Sequence, residues 1–111
     1  MDAHRSLAAW QRCRELVVAV YRATDAFPRY EQFRLVDQLR RAALSSCANI
    51  AEGYARRGVR ELRHFLGIAL GSLAEVDALL VVSQDLGILD GAGYGGLHDK
   101  NVAASKATFG L

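Results

Sequence analysis

The chain has 111 residues, of which 23% are charged and 51% hydrophobic, a balance that is typical of a folded soluble protein and excludes extensive disorder. Its length allows one hydrophobic core, so we predict a single domain over residues 1–111. The polar amino-terminal segment and the lack of about 18 consecutive uncharged apolar residues argue against a signal peptide and a membrane span, and we expect a cytoplasmic protein.

The net charge is only +2, but the charged residues are unevenly distributed along the chain. Residues 1–63 hold twelve Lys and Arg against seven Asp and Glu, whereas residues 64–111 hold two against five. The first half is therefore basic and the second half acidic, which indicates an anionic partner for the first half. A single proline and abundant Ala, Leu and Arg favour long helices throughout the chain.

The first predicted helix runs from about residue 6 to residue 26. Its apolar side chains recur at alternating steps of three and four, which is the spacing of one helix face: Trp10, Cys13, Val17, Val20, Thr24 and Phe27. Pro28 ends this helix, because a proline pushes the residue before it out of the α region.

The second predicted helix, residues 31–57, has two contrasting faces. The apolar face consists of Val36, Leu39, Ala43, Cys47, Ile50 and Tyr54. The opposite face is a row of polar side chains that we call the polar seam: Gln38, Arg41, Ser45, Asn49 and Glu52, continued by Arg56. Short amides and hydroxyls in an ordered row suit contacts with a neighbouring helix or subunit, so the seam is predicted to fix the register between subunits.

The third predicted helix, residues 60–86, has a wider apolar face than one bundle core requires. One seam on it consists of Leu62, Leu66, Ala69, Leu73, Val76 and Leu80. A second, adjacent seam consists of Phe65, Ile68, Leu79, Val82 and Leu86. Gly67 and Gly71 would allow a neighbouring helix to approach closely. The excess of apolar surface predicts contacts between subunits.

The fourth segment, residues 90–111, begins with the glycine-rich stretch LDGAGYGG, whose composition favours a loop. Asp90 is nevertheless a suitable helix N-cap, and the spacing of three and four continues through Tyr94, Leu97, Asn101, Ala104, Thr108 and Leu111. We therefore predict a fourth helix with a weak, glycine-rich start. Four helices joined by short connections define an all-α fold, an antiparallel up-and-down four-helix bundle.

No residue pattern in the chain is typical of a metal or cofactor site, and we predict neither. His4, His64 and His98 form no HxxxH or ExxH pair. The glycine-rich stretch lacks the GK[ST] of a phosphate-binding loop, and no predicted strand precedes it. Cys13 and Cys47 have no CxxC partner and lie on apolar faces, which predicts two buried, reduced thiols.

Catalysis has little support in the sequence. Ser45, Ser46 and Cys47 have no histidine nearby in the chain to activate them, although a distant one could reach them in the fold. Asn49 and Glu52 could polarise a substrate, but hydrogen bonds to a neighbouring helix or subunit are the favoured interpretation of this pair. We therefore predict that the protein is not an enzyme.

Six arginines lie along the second predicted helix or flank the turn that follows it: Arg40, Arg41, Arg56, Arg57, Arg60 and Arg63. The planar fork of arginine suits phosphate, and a handful of such contacts gives salt-dependent binding that is indifferent to nucleotide sequence. The alternative is a solvated helix end with ion pairs inside the chain. The sequence leaves both interpretations open.

Three stretches, LAAWQRCRELVVAVY, AFPRYEQFRLVDQLRRAALSSCANIAEGYARR and LRHFLGIALGSLAEVDALL, closely resemble the four-helix-bundle family also called the 23S rRNA intervening-sequence protein family. The resemblance covers residues 7–89, and QLRRAALSSCANIAEG with ALGSLAEV is its most specific part. It implies an up-down bundle that assembles into a homopentameric ring, with no established activity in most members. It also implies kinship with the accessory proteins of diversity-generating retroelements, which are basic pentamers that partner a reverse transcriptase and nucleic acid.

We therefore expect a non-enzymatic homo-oligomer, a pentamer by resemblance, that binds RNA, DNA or a nucleic-acid-handling protein through a basic rim around Arg56, Arg57, Arg60 and Arg63. The alternative is a purely protein-directed scaffold. It would use the polar seam from Gln38 to Glu52 for subunit register and would not bind nucleic acid.

Overall fold

Four α-helices make up most of the chain. The computed structural model describes residues 3–111, except for the side chains of Ala3 and Ser6. The helices are α1 (Ala8–Thr24), α2 (Leu35–Ala55), α3 (Val59–Asp85) and α4 (Gly91–Phe109), and the short 3-10 helices Ala3–Ser6 and Arg29–Glu31 precede α1 and α2. Residues 3–111 contain no strand, so the prediction of an all-α fold is confirmed.

The connection between α1 and α2 is longer than predicted. Pro28 is the N-cap of the 3-10 helix Arg29–Glu31, and α2 begins at Leu35 rather than near residue 31. Phe27 and Leu35 are both buried and anchor the two ends of this connection in the core. The other helix boundaries all lie within two residues of the predicted ones.

Each helix packs against two neighbours in an antiparallel four-helix bundle. α2 lies between α1 and α3, and α4 closes the bundle between α3 and α1, so α1 and α3 lie across its diagonal. Consecutive helices run in opposite directions, as their short connections require. The turn between α2 and α3 therefore lies at the same end of the bundle as the beginning of α1 and the end of α4.

All four helices contribute an apolar stripe to the core. The largest fully buried hydrophobic side chains are Leu16, Leu39, Ile50, Leu73 and Leu80. The predicted faces of α2 and α3 supply four of them, but Leu16 is not part of the stripe predicted for α1. Cys13 and Val20 fit two alternative stripes of α1, one that includes Val17 and one that includes Leu16. The structure buries the stripe with Leu16, and Val17 lies half-buried at its edge.

Three side chains of the second apolar seam of α3 face outward, whereas Phe65 and Leu79 are half-buried. Ile68, Val82 and Leu86 are 39%, 45% and 59% exposed. Gly67 and Gly71 lie on the same outer face, and no described atom of a neighbouring element stands within 4 Å of where their Cβ would be. The close helix approach predicted for these glycines therefore does not occur within the described chain, and the apolar excess of α3 is left without a partner there.

Among the described residues, α3 is the one helix whose length and apolar composition would allow it to cross a membrane. Only 28% of its most apolar stretch is buried inside the chain. Glu75, Asp77 and Asp85 are part of α3, and carboxylates are costly to place inside a bilayer. The cytoplasmic location expected from the sequence stays a prediction.

The glycine-rich start of α4 is helical from Gly91 onward. The Asp90 carboxylate accepts a hydrogen bond of 2.7 Å from the backbone N–H of Gly93, which confirms the predicted N-cap. This bond satisfies one of the N–H groups that the first turn of a helix leaves without a partner, and it offsets the low helix propensity of the glycines.

Replacing Asp90 by alanine should destabilise the protein by about 1 kcal/mol, because the Gly93 N–H then loses its acceptor in the weakest part of α4. Asp90→Asn is the matched control, since asparagine caps helices about as well as aspartate. Urea unfolding followed by circular dichroism compares the two variants. Equal destabilisation by both would contradict the capping account.

α2 and α3 approach each other closely at Gly53. A Cβ at this position would stand 3.1 Å from Cβ of Phe65 and 3.2 Å from Cδ1 of Leu62, which is tighter than ordinary van der Waals contact. A few residues later Gly58 has a φ of +99°, in the left-handed region that favours glycine, and the chain reverses direction there. Together the two glycines allow the α2–α3 hairpin to close.

Gly53→Val should destabilise the protein by about 1–3 kcal/mol, because the added methyl groups have to displace Leu62 and Phe65. Gly96→Ala serves as the control. Gly96 lies within α4 with open space around it, so alanine should increase stability by up to about 1 kcal/mol. Guanidinium unfolding curves measure both changes, and a Gly53→Val variant as stable as the wild type would contradict the close approach.

Candidate nucleic-acid interface

The structure separates the six predicted arginines into two groups. Arg40 and Arg41 lie in the first half of α2. The second group surrounds the turn between α2 and α3 and consists of Arg56, Arg57, Arg60 and Arg63. Arg41 and Arg56 are 15 residues apart, which corresponds to about 22 Å along a helix. Only the second group forms a cluster.

Arg40 holds α2 to the end of α1. Its Nε donates to Thr24 Oγ1 at 2.9 Å, and its Nη2 donates to the Tyr21 carbonyl oxygen at 3.2 Å and to Asp25 Oδ1 at 3.0 Å. The guanidinium also lies over the Tyr21 ring, 4.4 Å from the ring centroid. Because its donors are used inside the chain, Arg40 is better placed to join two helices than to bind phosphate.

Arg41 and Arg56 each have an acidic neighbour one helical turn away. Arg41 Nη1 lies 3.8 Å from Asp37 Oδ2, and Arg56 Nε donates to Glu52 Oε2 at 2.9 Å. A second carboxylate, Glu61, lies 3.9 Å from Arg56 Nη1. Exposed pairs of this kind stabilise a protein by less than about 1 kcal/mol, but they orient the side chains. Arg56 is therefore held by the protein's own acidic groups.

Arg57, Arg60 and Arg63 are exposed, and none of them forms an ion pair with another residue in the described range 3–111. We call these three residues the arginine rim. Their positions span the turn after α2 and the beginning of α3, so they lie together at one end of the bundle. An open groove of about 500 Å³ adjoins the rim and is lined by Arg56, Arg60, Glu61, His64 and Phe65.

The electrostatic character of this end is cationic. Its two nearby carboxylates, Glu52 and Glu61, both lie beside Arg56 and leave the rim charges without a counter-charge. The N-terminus of α3 adds a partial positive charge, because Gly58 at its N-cap offers no side chain to the first backbone N–H groups. Guanidinium groups beside a helix N-terminus are complementary to phosphate.

Part of the polar seam makes contacts within the chain. Ser72 of α3 donates to Ser45 Oγ at 2.8 Å, and Asn49 Nδ2 donates to Ser45 Oγ at 3.0 Å and to the Ser45 carbonyl oxygen at 2.8 Å. Glu52 is held by the ion pair described above, and Gln38 is exposed. Ser45 thus connects α2 to α3 and Asn49 holds Ser45 from within α2, while the use of the seam between subunits stays a prediction.

Ser45, Ser46 and Cys47 of α2 hydrogen-bond to the backbone or to the side chains of serine and asparagine, and no described histidine reaches them. Ser46 Oγ donates to the Ala43 carbonyl oxygen at 2.7 Å, and Cys47 Sγ lies 3.9 Å from the Trp10 carbonyl oxygen. Asn49 and Glu52, the pair considered for polarising a substrate, hydrogen-bond to different partners, Ser45 and Arg56. Within residues 3–111, no group of three or more His, Cys, Asp or Glu side chains is placed to hold a metal ion.

Cys13 and Cys47 are free thiols where α1 and α2 meet; Cys13 is buried, as predicted, whereas Cys47 is half-buried. Burial raises the pKa of both thiols, since a thiolate loses its hydration in the interior. Hydrogen bonds with Ser46 and Thr108 partly oppose this increase in the pKa of Cys13. For Cys47, repulsion from a Cys13 thiolate adds to burial and raises the pKa to about 12.

In the folded protein both thiols should react slowly with iodoacetamide at about pH 8.5, whereas the urea-unfolded chain, whose thiols ionise near that pH, should react rapidly. Stability should fall as the pH rises from about 9 toward 12, because the unfolded chain releases thiol protons that the folded chain still holds. Mass spectrometry after alkylation and urea titrations at about pH 8 and about pH 10 measure the two effects.

Cys13→Ala/Cys47→Ala is the control for the pH dependence, since this variant lacks both thiols. A double variant with the same alkaline loss as the wild type would contradict the contribution of the thiols.

The sequence analysis missed a cluster between α3 and α4. His98 Nδ1 lies 3.0 Å from Asp77 Oδ1, and the Tyr94 ring stacks on the His98 ring with centroids 5.3 Å apart. The spacing of Tyr94 and His98 by one helical turn is visible in the sequence. The pairing with Asp77 is not, because it depends on how the two helices are rotated against each other.

The sequence analysis also missed a cationic groove. It has a volume of about 500 Å³, runs along α1 beside α4 and is lined by Gln11, Arg14, Glu15, Val18, Ala19, Arg22 and Lys100. Arg14, Val18 and Arg22 recur at steps of four, which is the sequence signal that could have shown this face of α1. We call this feature the α1–α4 groove.

These features define a small antiparallel four-helix bundle with a cationic end and a long apolar helix face exposed. The family model described as 23S rRNA-intervening sequence protein matches residues 5–109. The chain therefore belongs to the 23S rRNA-intervening sequence protein family, as the helix motifs predicted. This is not a known enzyme family. No curated protein matches the chain, and kinship with the retroelement accessory proteins stays a prediction.

Proposed function

We propose that the protein is a non-enzymatic, cytoplasmic homo-oligomer, a pentamer by family resemblance, that binds nucleic acid through the arginine rim. One observation carries the proposal: Arg57, Arg60 and Arg63 lie together, are exposed and form no ion pair within the described chain. Solubility of a helix end does not require three guanidinium groups to lie side by side at an uncapped helix N-terminus.

A polyanion suits this arrangement better than a small ligand does. The rim lies on the outside of a turn rather than in an enclosed cavity, so a chain of phosphates can pass across it. Each guanidinium can donate two parallel hydrogen bonds to a phosphate. The name of the family associates its members with 23S rRNA, which supports RNA as the ligand by analogy.

Assembly would bring one arginine rim per chain into the same particle. Identical chains arranged around an axis that runs along the bundle would place all their α2–α3 turns at one end of the assembly. A few phosphate contacts per chain would then add up to tight binding, because contacts after the first become intramolecular. The exposed apolar seam of α3 supports assembly, since such a surface is costly to leave in water.

Charge reversal of the rim tests the nucleic-acid part of the proposal. Arg57→Glu/Arg60→Glu should weaken binding at least about 100-fold, because two phosphate contacts per chain are replaced by two repulsions. Fluorescence anisotropy with a labelled structured RNA and a random duplex DNA measures the affinity, after co-purifying nucleic acid has been removed from the protein.

Arg29→Glu/Arg34→Glu is the matched control, because it changes the net charge equally at the opposite end of the bundle. This variant should retain affinity within a few-fold, and native mass spectrometry should show the same subunit number for both variants. An equal loss of affinity in both variants, or full binding by the rim variant, would contradict the assignment.

A protein-directed scaffold without nucleic-acid binding is the second candidate function. The exposed α3 seam favours it, because apolar side chains suit a protein surface and not phosphate. A wild-type protein that assembles, yet binds neither nucleic acid even at low salt, would establish this candidate over the first.

A further inference from the structure

The outer face of α3 combines apolar side chains with unpaired carboxylates. Ile68, Ala78 and Val82 are exposed along it. Glu75 and Asp85 are exposed on the same side of the helix, and neither forms an ion pair with a residue in the described range. This face is therefore apolar along its length and acidic in its middle and at its C-terminal end.

The α1–α4 groove has the opposite charge. Arg14 and Arg22 lie two helical turns apart on α1, and Lys100 of α4 lines the same groove. None of these three cations forms an ion pair within residues 3–111. Glu15, the one carboxylate in the lining, is already paired with Arg12 at 2.9 Å. The groove thus offers positive charges that nothing in the described chain neutralises.

The middle of the groove is apolar as well. Val18 lies between the two arginines of α1 and is 42% exposed, and Ala19 adjoins it. Val18 is near the middle of α1, and Glu75 with Ala78 is near the middle of α3. Both faces therefore pair a central apolar strip with charged groups, and the two sets of charges have opposite sign.

The bundle prevents the two faces from meeting within one chain. α1 and α3 lie across the diagonal, so their outer faces point to opposite sides of the molecule. One copy of the protein therefore presents both halves of a complementary contact, one on each side, and only a second copy can bring them together.

We propose that the outer face of α3 in one copy docks into the α1–α4 groove of the next copy, with Glu75 and Asp85 opposite Arg14, Arg22 and Lys100. The inference rests on the assembly contained in the proposed function and names the two surfaces that form it. Because these surfaces differ, the contact is head-to-tail, and repetition of such a contact closes into a ring when the rotation between copies allows.

The available area is sufficient for a stable contact. The molecule measures 44 × 24 × 20 Å, so one long side offers on the order of 900 Å², and a standard interface buries about 800 Å² per partner. A two-fold contact between two α3 faces would instead bring the two copies of Glu75 near each other and leave the groove cations unpaired. Like charges facing each other in an interface are costly, which favours the head-to-tail arrangement.

A charge exchange tests the docking. Glu75→Arg/Asp85→Arg makes both faces positive, and Arg14→Glu/Arg22→Glu makes both negative. Each double variant should lose assembly and run as a single chain of 12.1 kDa in native mass spectrometry and light scattering. The variant that carries all four substitutions has the net charge of the wild type and should regain the subunit number of the wild type.

All four positions are exposed, so the variants should keep their helix content, which circular dichroism checks. If one of them unfolds, Glu75→Arg and Arg22→Glu, separately and combined, give the same comparison with fewer changes.

The outcomes separate the docking from the proposed function. A wild-type protein that is a single chain at micromolar concentration would overturn the assembly itself. An assembled wild type whose mass neither double variant alters would overturn the docking and leave the proposed function standing. Loss of assembly that the four-residue variant does not restore would also overturn the pairing of these two faces.

Discussion

The packing of α2 against α3 is the constraint on which the rest of the structure depends. Gly53 lets the two helices approach closely, Gly58 reverses the chain with a positive φ, and the hydrogen bond between Ser72 and Ser45 fixes the two helices along their length. With α2 fixed in this way, the first apolar seam of α3 faces the core, and Ile68, Val82 and Leu86 of the second seam face outward. The same hairpin places Arg56 to Arg63 at one end of the bundle.

The charged residues fall into two groups, those that form ion pairs within the chain and those that do not. Arg40 uses its donors to join α2 to α1, and Arg56 is oriented by the carboxylates on either side of it. The arginine rim, the cations of the α1–α4 groove and Glu75 and Asp85 on the outer face of α3 have no such partners within the described chain. Charges without internal partners at the surface are available for external ones: phosphate at the rim, and a second copy at the other two faces.

The sequence predicted the fold well because helix periodicity and end signals are local. The apolar faces of α2 and α3 and the Asp90 cap all depend on residues within a few turns of one another. Contacts between helices could not be predicted from the sequence. The engagement of Arg40 by Thr24 and the pairing of Asp77 with His98 depend on how neighbouring helices are rotated, which spacing along one helix does not determine. The choice of Leu16 over Val17 depends on the same rotation.

The central claim is that assembled chains bind nucleic acid through phosphate contacts of the arginine rim. The salt dependence of the wild-type affinity for a random duplex DNA tests it most directly, since each phosphate contact contributes a slope of about −0.9 to the plot of log affinity against log salt. We expect a steep slope. The number of phosphate contacts calculated from it should exceed the number that the three rim arginines of one chain can make, because several chains contribute their rims. Affinity that is absent at low salt, or that does not change with salt, would contradict it.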